Sequence, residues 1–237
     1  MSNTFTIAWK EIKTYFSSPM AYIVATVFLS ITGFLFVRSI SVPFAEASIR
    51  GWILDTSFLF ALWSPVLTMR LLAEEQKLGT LELLMTSPVR DYEIILGKYI
   101  AAVFILATTL ALTLYYTLLL FWFGNPDIGP LLSGYLGIML YGSATLAIGL
   151  MASSLTSNQI VAAVVAFGIL LILTLLEQAA DVTSGQVAVV LEHLSLTGHF
   201  QDFARGIIDT KNIVYYISCI VVFLFLATRN LESRRWR

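Results

Sequence analysis

The sequence predicts an all-α membrane domain of six transmembrane helices, with an N-terminal amphipathic interfacial helix and a cytoplasmic helix between spans two and three. Three observations predict it. Of 237 residues, 58% are apolar and 12% charged, with a mean hydropathy of +0.83, where soluble domains are near half apolar and a quarter charged. The apolar residues fall into charge-free runs near the ~20 needed to cross ~30 Å of hydrocarbon. The charges gather in the connections between those runs.

The same composition excludes several function classes. A net charge of −1 carries no nucleic-acid footprint. One cysteine, Cys219, excludes an internal disulfide framework and a Cys-based metal cluster. His193 and His199 supply at most part of a metal site, and with no third ligand at a clear spacing no metal is expected.

Taken in order, residues 4–17 read as one amphipathic helix. Phe5, Trp9, Ile12 and Phe16 recur at i, i+4, i+7 and i+11, with Lys10, Glu11, Lys13 and Thr14 filling much of the rest. Such a helix lies along the membrane surface and turns inward at Ser17-Ser18-Pro19. The first span covers about 20–37 and closes at Arg38. Ala45-Glu46-Ala47 resembles a signal-peptidase site, but it lies well beyond a long apolar run, so a retained helix is expected. The second span, 52–69, reaches crossing length only with Trp52 to Leu54 at its outer edge. The third, 99–123, ends at Gly124-Asn125-Pro126-Asp127. Residues 128–176 carry no charge, and the polar break 153–159 divides them into spans of about 130–152 and 160–176. A sixth span covers about 212–228, after an outer segment 177–211 long enough for one or two helices. There Phe200, Phe203 and Ile207 form an apolar set suited to the outer leaflet.

Lysine and arginine set the orientation. With the N-terminus inside, ten of them lie on the inner side and four on the outer, which places both termini in the cytoplasm.

The connection 70–98 holds nine of the 29 charged residues and is far longer than two helices need. It reads as an extension of span two, a break at Gly79, a short helix over 80–85, and a restart with Ser87 as N-cap and Pro88 at N1. Leu81, Leu83, Leu84 and Met85 make that short helix too apolar for a solvated loop. It suits a cleft on a soluble partner or the lipid interface equally.

Within this connection Glu74-Glu75-Gln76-Lys77-Leu78-Gly79-Thr80-Leu81-Glu82-Leu83-Leu84, Ser87-Pro88 and Glu93-Ile94-Ile95-Leu96-Gly97-Lys98 resemble the signature region of ABC-2 type transporter permeases. The order of spans resembles that family over essentially the whole chain. Residues 199–209, from His199 to Asp209, resemble a subset that includes permeases of gliding motility and of nitrous oxide reductase maturation. The resemblance implies a permease subunit of an ATP-driven exporter in a bacterial cytoplasmic membrane. It implies pairing with a second copy of the permease and with two copies of a cytoplasmic ABC ATPase, with a periplasmic or membrane accessory subunit as a further partner. The helix after Gly79 would be the coupling helix. Glu74, Glu75, Lys77 and Glu82 would hold its register, Leu81 and Leu84 would supply the buried contact, and Gly79, Thr80 and Pro88 would belong to the same docking region. ATP and Mg would sit on the partner, since this chain has no G-x-x-x-x-G-K-[ST] loop and is not expected to be an enzyme.

The spans themselves are almost free of ionisable residues, which argues against an ion-coupled carrier or a cation pore. In span four, Ser133, Gly137, Tyr141, Thr145, Gly149 and Ser153 recur every four residues, a pattern for close helix packing or for lining a substrate path. An intramembrane hydrolase is the rival enzyme reading. Ser143 follows Gly142, but both histidines lie in the outer segment, far from it in sequence. A non-transporting scaffold, mechanotransmitter or assembly factor is the alternative to transport. It would have no use for a docking helix.

Overall fold

A computed structural model describes residues 3–41, 48–86 and 89–235. Eleven helices follow in order among them: α1 (Asn3–Ser17), α2 (Pro19–Ile40), α3 (Arg50–Thr68), α4 (Ala73–Leu78), α5 (Thr80–Thr86), α6 (Asp91–Phe123), α7 (Ile128–Leu155), α8 (Gln159–Val182), α9 (Gln186–Leu194), α10 (Phe200–Ala204) and α11 (Thr210–Arg235). No strand occurs among the described residues. Among the described residues, six helical stretches are long and apolar enough to cross a membrane: α2, α3 continued into α4, α6, α7, α8 and α11. The tripeptide 45–47 read as a cleavage motif lies outside the described residues.

The helices outrun their apolar cores, because a charge ends a hydropathic run without ending a helix. α2 continues past Arg38 to Ile40, with the arginine in the last turn, where a cation is favoured. α8 carries Glu177 and Asp181 on to Val182, so the segment expected to begin at 177 begins inside a helix. Asn158 caps the start of α8, its side-chain oxygen accepting from the Ile160 and Val161 N–H groups. α6 has 33 residues, about 50 Å at 1.5 Å per residue, against ~30 Å of hydrocarbon. Its first two turns therefore project as an arm. The expected cap and first turn at Ser87 and Pro88 fall outside the described residues. Val89 and Arg90 are not helical, and α6 begins at Asp91, later than the sequence suggests. The reason is Glu93, whose carboxylate accepts the Arg90 backbone N–H (2.9 Å) and fixes the start there.

α7 is the centre of the bundle. It packs against α3, α6, α8, α10 and α11, whereas α2, α8 and α11 present most of their surface outward. α2 is held to α3 by Phe28, which meets the rings of Phe60 and Trp63 at 5.7 and 5.0 Å. The Trp52 indole donates to the Thr32 carbonyl at 3.0 Å. Trp52, expected at the membrane's outer edge, is thus wholly buried against α2.

At one end of the molecule, α9 and α10 close the bundle. Phe200 and Phe203 do not face a leaflet. Both are buried against α7, and only Ile207 is exposed. The reason is the glycine at 137, where an added Cβ would lie 2.6 Å from that of Phe203. Ser133 donates to the Phe203 carbonyl (2.8 Å) and seals the contact. His199 stacks on Tyr215 at 3.9 Å, with His193 edge-on to His199 at 6.5 Å.

Close packing of α7 on α3 yields a measurable expectation. A Cβ at Gly149 would run into Thr68, while one at Gly168 on α8 would meet nothing within 4 Å. Gly149→Leu should destabilise the detergent-solubilised chain by about 1–3 kcal/mol, and Gly168→Leu should leave the melting temperature nearly unchanged. Equal effects would place α7 and α8 in similar surroundings, contrary to the packing.

Candidate functional site

The end of the bundle opposite α9 and α10 is built around one ammonium group. Lys98 is 1% exposed, on the projecting arm of α6, and its Nζ lies 2.7 Å from Glu11 Oε1 and 2.8 Å from Glu75 Oε1. A buried cation is tolerated only when paired and hydrogen-bonded. Glu11 belongs to α1 and Glu75 to α4, so the lysine ties three helices together.

α1 can reach the lysine because Gly97 has no side chain. A Cβ there would sit 2.8 Å from the Ile7 Cβ and 2.9 Å from the Thr4 carbonyl oxygen. The α1 face that packs on α6 and α3 carries Ile7, Ala8, Glu11 and Tyr15. Asn3 donates to Glu93 at 3.2 Å, and Tyr15 donates to the Leu67 carbonyl at 2.7 Å. Burial, reinforced by the nearby Glu11 carboxylate, pushes the Tyr15 pKa up and keeps the hydroxyl a neutral donor. The aromatic stripe read from the sequence is the other face: Phe5, Trp9 and Phe16 are each about half exposed. α1 is therefore two-faced, with one stripe packed on protein and one left for the surroundings.

α4 is held from below by two serines. The backbone N–H groups of Leu72 and Ala73 both donate to Ser153 Oγ (3.2 and 3.1 Å), and Ser153 donates to the Met69 carbonyl. These are the orphan donors of a helix start, satisfied here from α7. Gln76 donates to the Ser154 carbonyl (3.0 Å), which also accepts from Asn230 of α11 (2.6 Å). The polar break after span four thus anchors α4 within the chain.

The predicted residues separate into an internal set and an exposed set. Glu74 is paired with Arg70 at 2.7 Å and Glu75 with Lys98, so both are engaged inside the chain. Gly79 ends α4 in the left-handed region (φ 71°), which turns the chain into α5 and which other residues adopt at a cost of about 1 kcal/mol. Leu81 is 3% exposed, buried against the chain itself, and Leu84 is half-buried against the same core. Lys77, Thr80 and Glu82 are exposed. Among the described side chains of this hairpin, the apolar ones that project are Leu83, 72% exposed, and Leu78, 67% exposed. Pro88 lies outside the described residues.

In span four, Ser133, Gly137, Tyr141, Thr145, Gly149 and Ser153 are all buried inside the chain, running from α10 at one end to α3 and α4 at the other. Within this chain the stripe is packed against its neighbours. Sequence reasoning gave no individual role to Lys98, Glu11, Ser154 or Leu78, and it named Leu83 only as part of an apolar helix. The signal for Lys98 was its place as the last charge before a long apolar run. Ser154 was visible only as part of the polar break 153–159.

The model of the family described as ABC-2 family transporter protein matches residues 5–234 of this chain. None of the curated proteins matches it.

Removing the central cation measures the knot. Lys98→Met leaves two partly buried carboxylates facing one another and should cost roughly 3 kcal/mol in thermal stability. Adding Glu11→Gln and Glu75→Gln to it should recover much of the loss. A Lys98→Met chain as stable as the parent would show that the ion pairs hold nothing.

Proposed function

We propose that this chain, which belongs to the ABC-2 transporter family, works as one of two permease subunits that form the pathway of an ATP-driven exporter. Each copy engages a cytoplasmic ABC ATPase through α5, and ATP and Mg are bound and used on that partner. The observation that carries the reading is the exposed apolar pair Leu78 and Leu83, on a hairpin anchored firmly to three of the spans. An exposed leucine pair on a rigid mount suits a partner's groove.

The positive-inside count and the position of this hairpin support a cytoplasmic placement for it and for both termini, in a bacterial cytoplasmic membrane. The docking face then comprises Leu78 and Leu83 with Lys77, Thr80 and Glu82 around them. Glu74, Glu75 and Leu81 act as its mount. Likeness of residues 199–209 to the gliding-motility and nitrous-oxide-reductase-maturation permeases supports an accessory subunit at the opposite end.

Mechanically, closure of the ATPases displaces α5. The push passes through Gly79 to α4, and from there by Lys98 to α1 and α6 and by Ser153 and Ser154 to α7 and α11. Because interfaces of this kind shift as packed units, the response is rigid-body motion of the membrane half.

Affinity purification of the tagged chain from its own membrane tests the reading. A P-loop ATPase should be recovered in equal stoichiometry, and Leu83→Asp should abolish its recovery without lowering the chain's melting temperature. Leu81→Asp should lower the melting temperature, since it places a charge in the core. A Leu83→Asp chain that retains its ATPase would remove α5 as the docking element. A chain that brings down no ATPase at all would favour the scaffold alternative.

A further inference from the structure

Between the α1–α2 elbow and the α3–α4 segment lies a partly open cleft of about 220 Å³. It is polar at one end and apolar at the other. Lys10, Glu11, Arg70, Glu74, Glu75 and Lys98 line the first, and all belong to the end of the bundle where α4 and α5 sit. Ala21, Ala25, Val66, Leu67 and Ile105 line the second, and they come from spans.

Three polar groups in its walls are left over once the protein's own pairs are formed. Trp63 is 6% exposed, and its indole N–H has no acceptor. Glu75 gives one carboxylate oxygen to Lys98, and the other is buried without a donor. The Lys10 ammonium makes no ion pair with any described residue, whereas Arg70 is matched by Glu74 and Lys98 by its two glutamates. An occupant that matches the cleft therefore brings an anion for Lys10, an ammonium donor for Glu75, an acceptor for the Trp63 N–H and an apolar tail for the alanine-lined end.

We infer that the cleft is a binding site for a zwitterionic, amine-headed glycerophospholipid of the surrounding bilayer. Its phosphate lies against Lys10, its ammonium against Glu75, an ester carbonyl near Trp63, and an acyl chain along Ala21 and Ala25. The small side chains at 21 and 25 leave the room for that chain. Bound there, the lipid braces the elbow of α1 and α2 against α3.

Quenching of tryptophan fluorescence by acyl-brominated lipids tests this on the purified full chain in nanodiscs. The Trp63 signal is taken as the difference between the chain and its Trp63→Phe variant. Brominated phosphatidylethanolamine at a low mole fraction should quench that signal saturably, whereas brominated phosphatidylglycerol, which lacks the ammonium, should require far more. Ala25→Leu should abolish the saturable phase by filling the apolar end. Lys10→Gln, an exposed position that leaves the Lys98 pairs intact, should raise the half-saturating fraction roughly tenfold, the loss of one charge-assisted contact. Quenching that simply follows the bulk mole fraction, or that is equal for the two headgroups, would show ordinary boundary lipid and overturn the assignment. So would an Ala25→Leu chain that behaves as the parent. The readout needs neither nucleotide nor ATPase, so its failure leaves the docking proposal standing.

Discussion

An ammonium group placed in a protein interior must be neutralised where it lies, and that requirement organises one end of this molecule. Lys98 is carried inward by an apolar helix and is almost fully removed from solvent. Two carboxylates meet it, and they come from different parts of the chain. To supply Glu11, α1 has to fold back along α6. To supply Glu75, the extension of α3 has to turn at 69–72 and present α4. Remove the cation and the two carboxylates that join α1 to α4 lose the group that holds them together.

Everything that mounts α5 depends on that closure. The serine pair at the end of α7 completes it by receiving the start of α4, and Asn230 brings α11 to the same point. A seven-residue helix is far too short to be stable alone. It is held by Leu81 in the core and by the mount beneath it, which leaves Leu78 and Leu83 outward. Rigidity at the base and apolar exposure at the tip are the two properties a force-receiving element needs.

The sequence made the architecture legible because hydropathy and charge act over twenty residues at a time. Six spans and the long charged connection were visible in that way. Pairwise choices were not. The family resemblance implied Leu81 as a contact residue but could not tell a partner's groove from the chain's own core. The periodic aromatic stripe of α1 was legible in the sequence, yet the face that packs on α6 hid behind mixed chemistry, an alanine beside a glutamate and a tyrosine. Phe200 and Phe203 looked lipid-facing until Gly137 opened a place for them on α7. In each case the deciding fact was the neighbour across a helix interface, which lies far away in sequence.

The central claim is that α1, α4, α5 and the arm of α6 move as one body. Pulsed electron spin resonance distances tell most directly. One label pair would join Lys13 on α1 to Glu82 on α5. A second would join Glu82 of one permease copy to Glu82 of the other. Both would be measured on the permease with its ATPase, without nucleotide and in a nucleotide-trapped state. The account predicts an unchanged distribution for the first pair, while the Glu82 separation between the two permease copies shortens. A first pair that broadens or shifts on trapping, with the copies no closer, would contradict it.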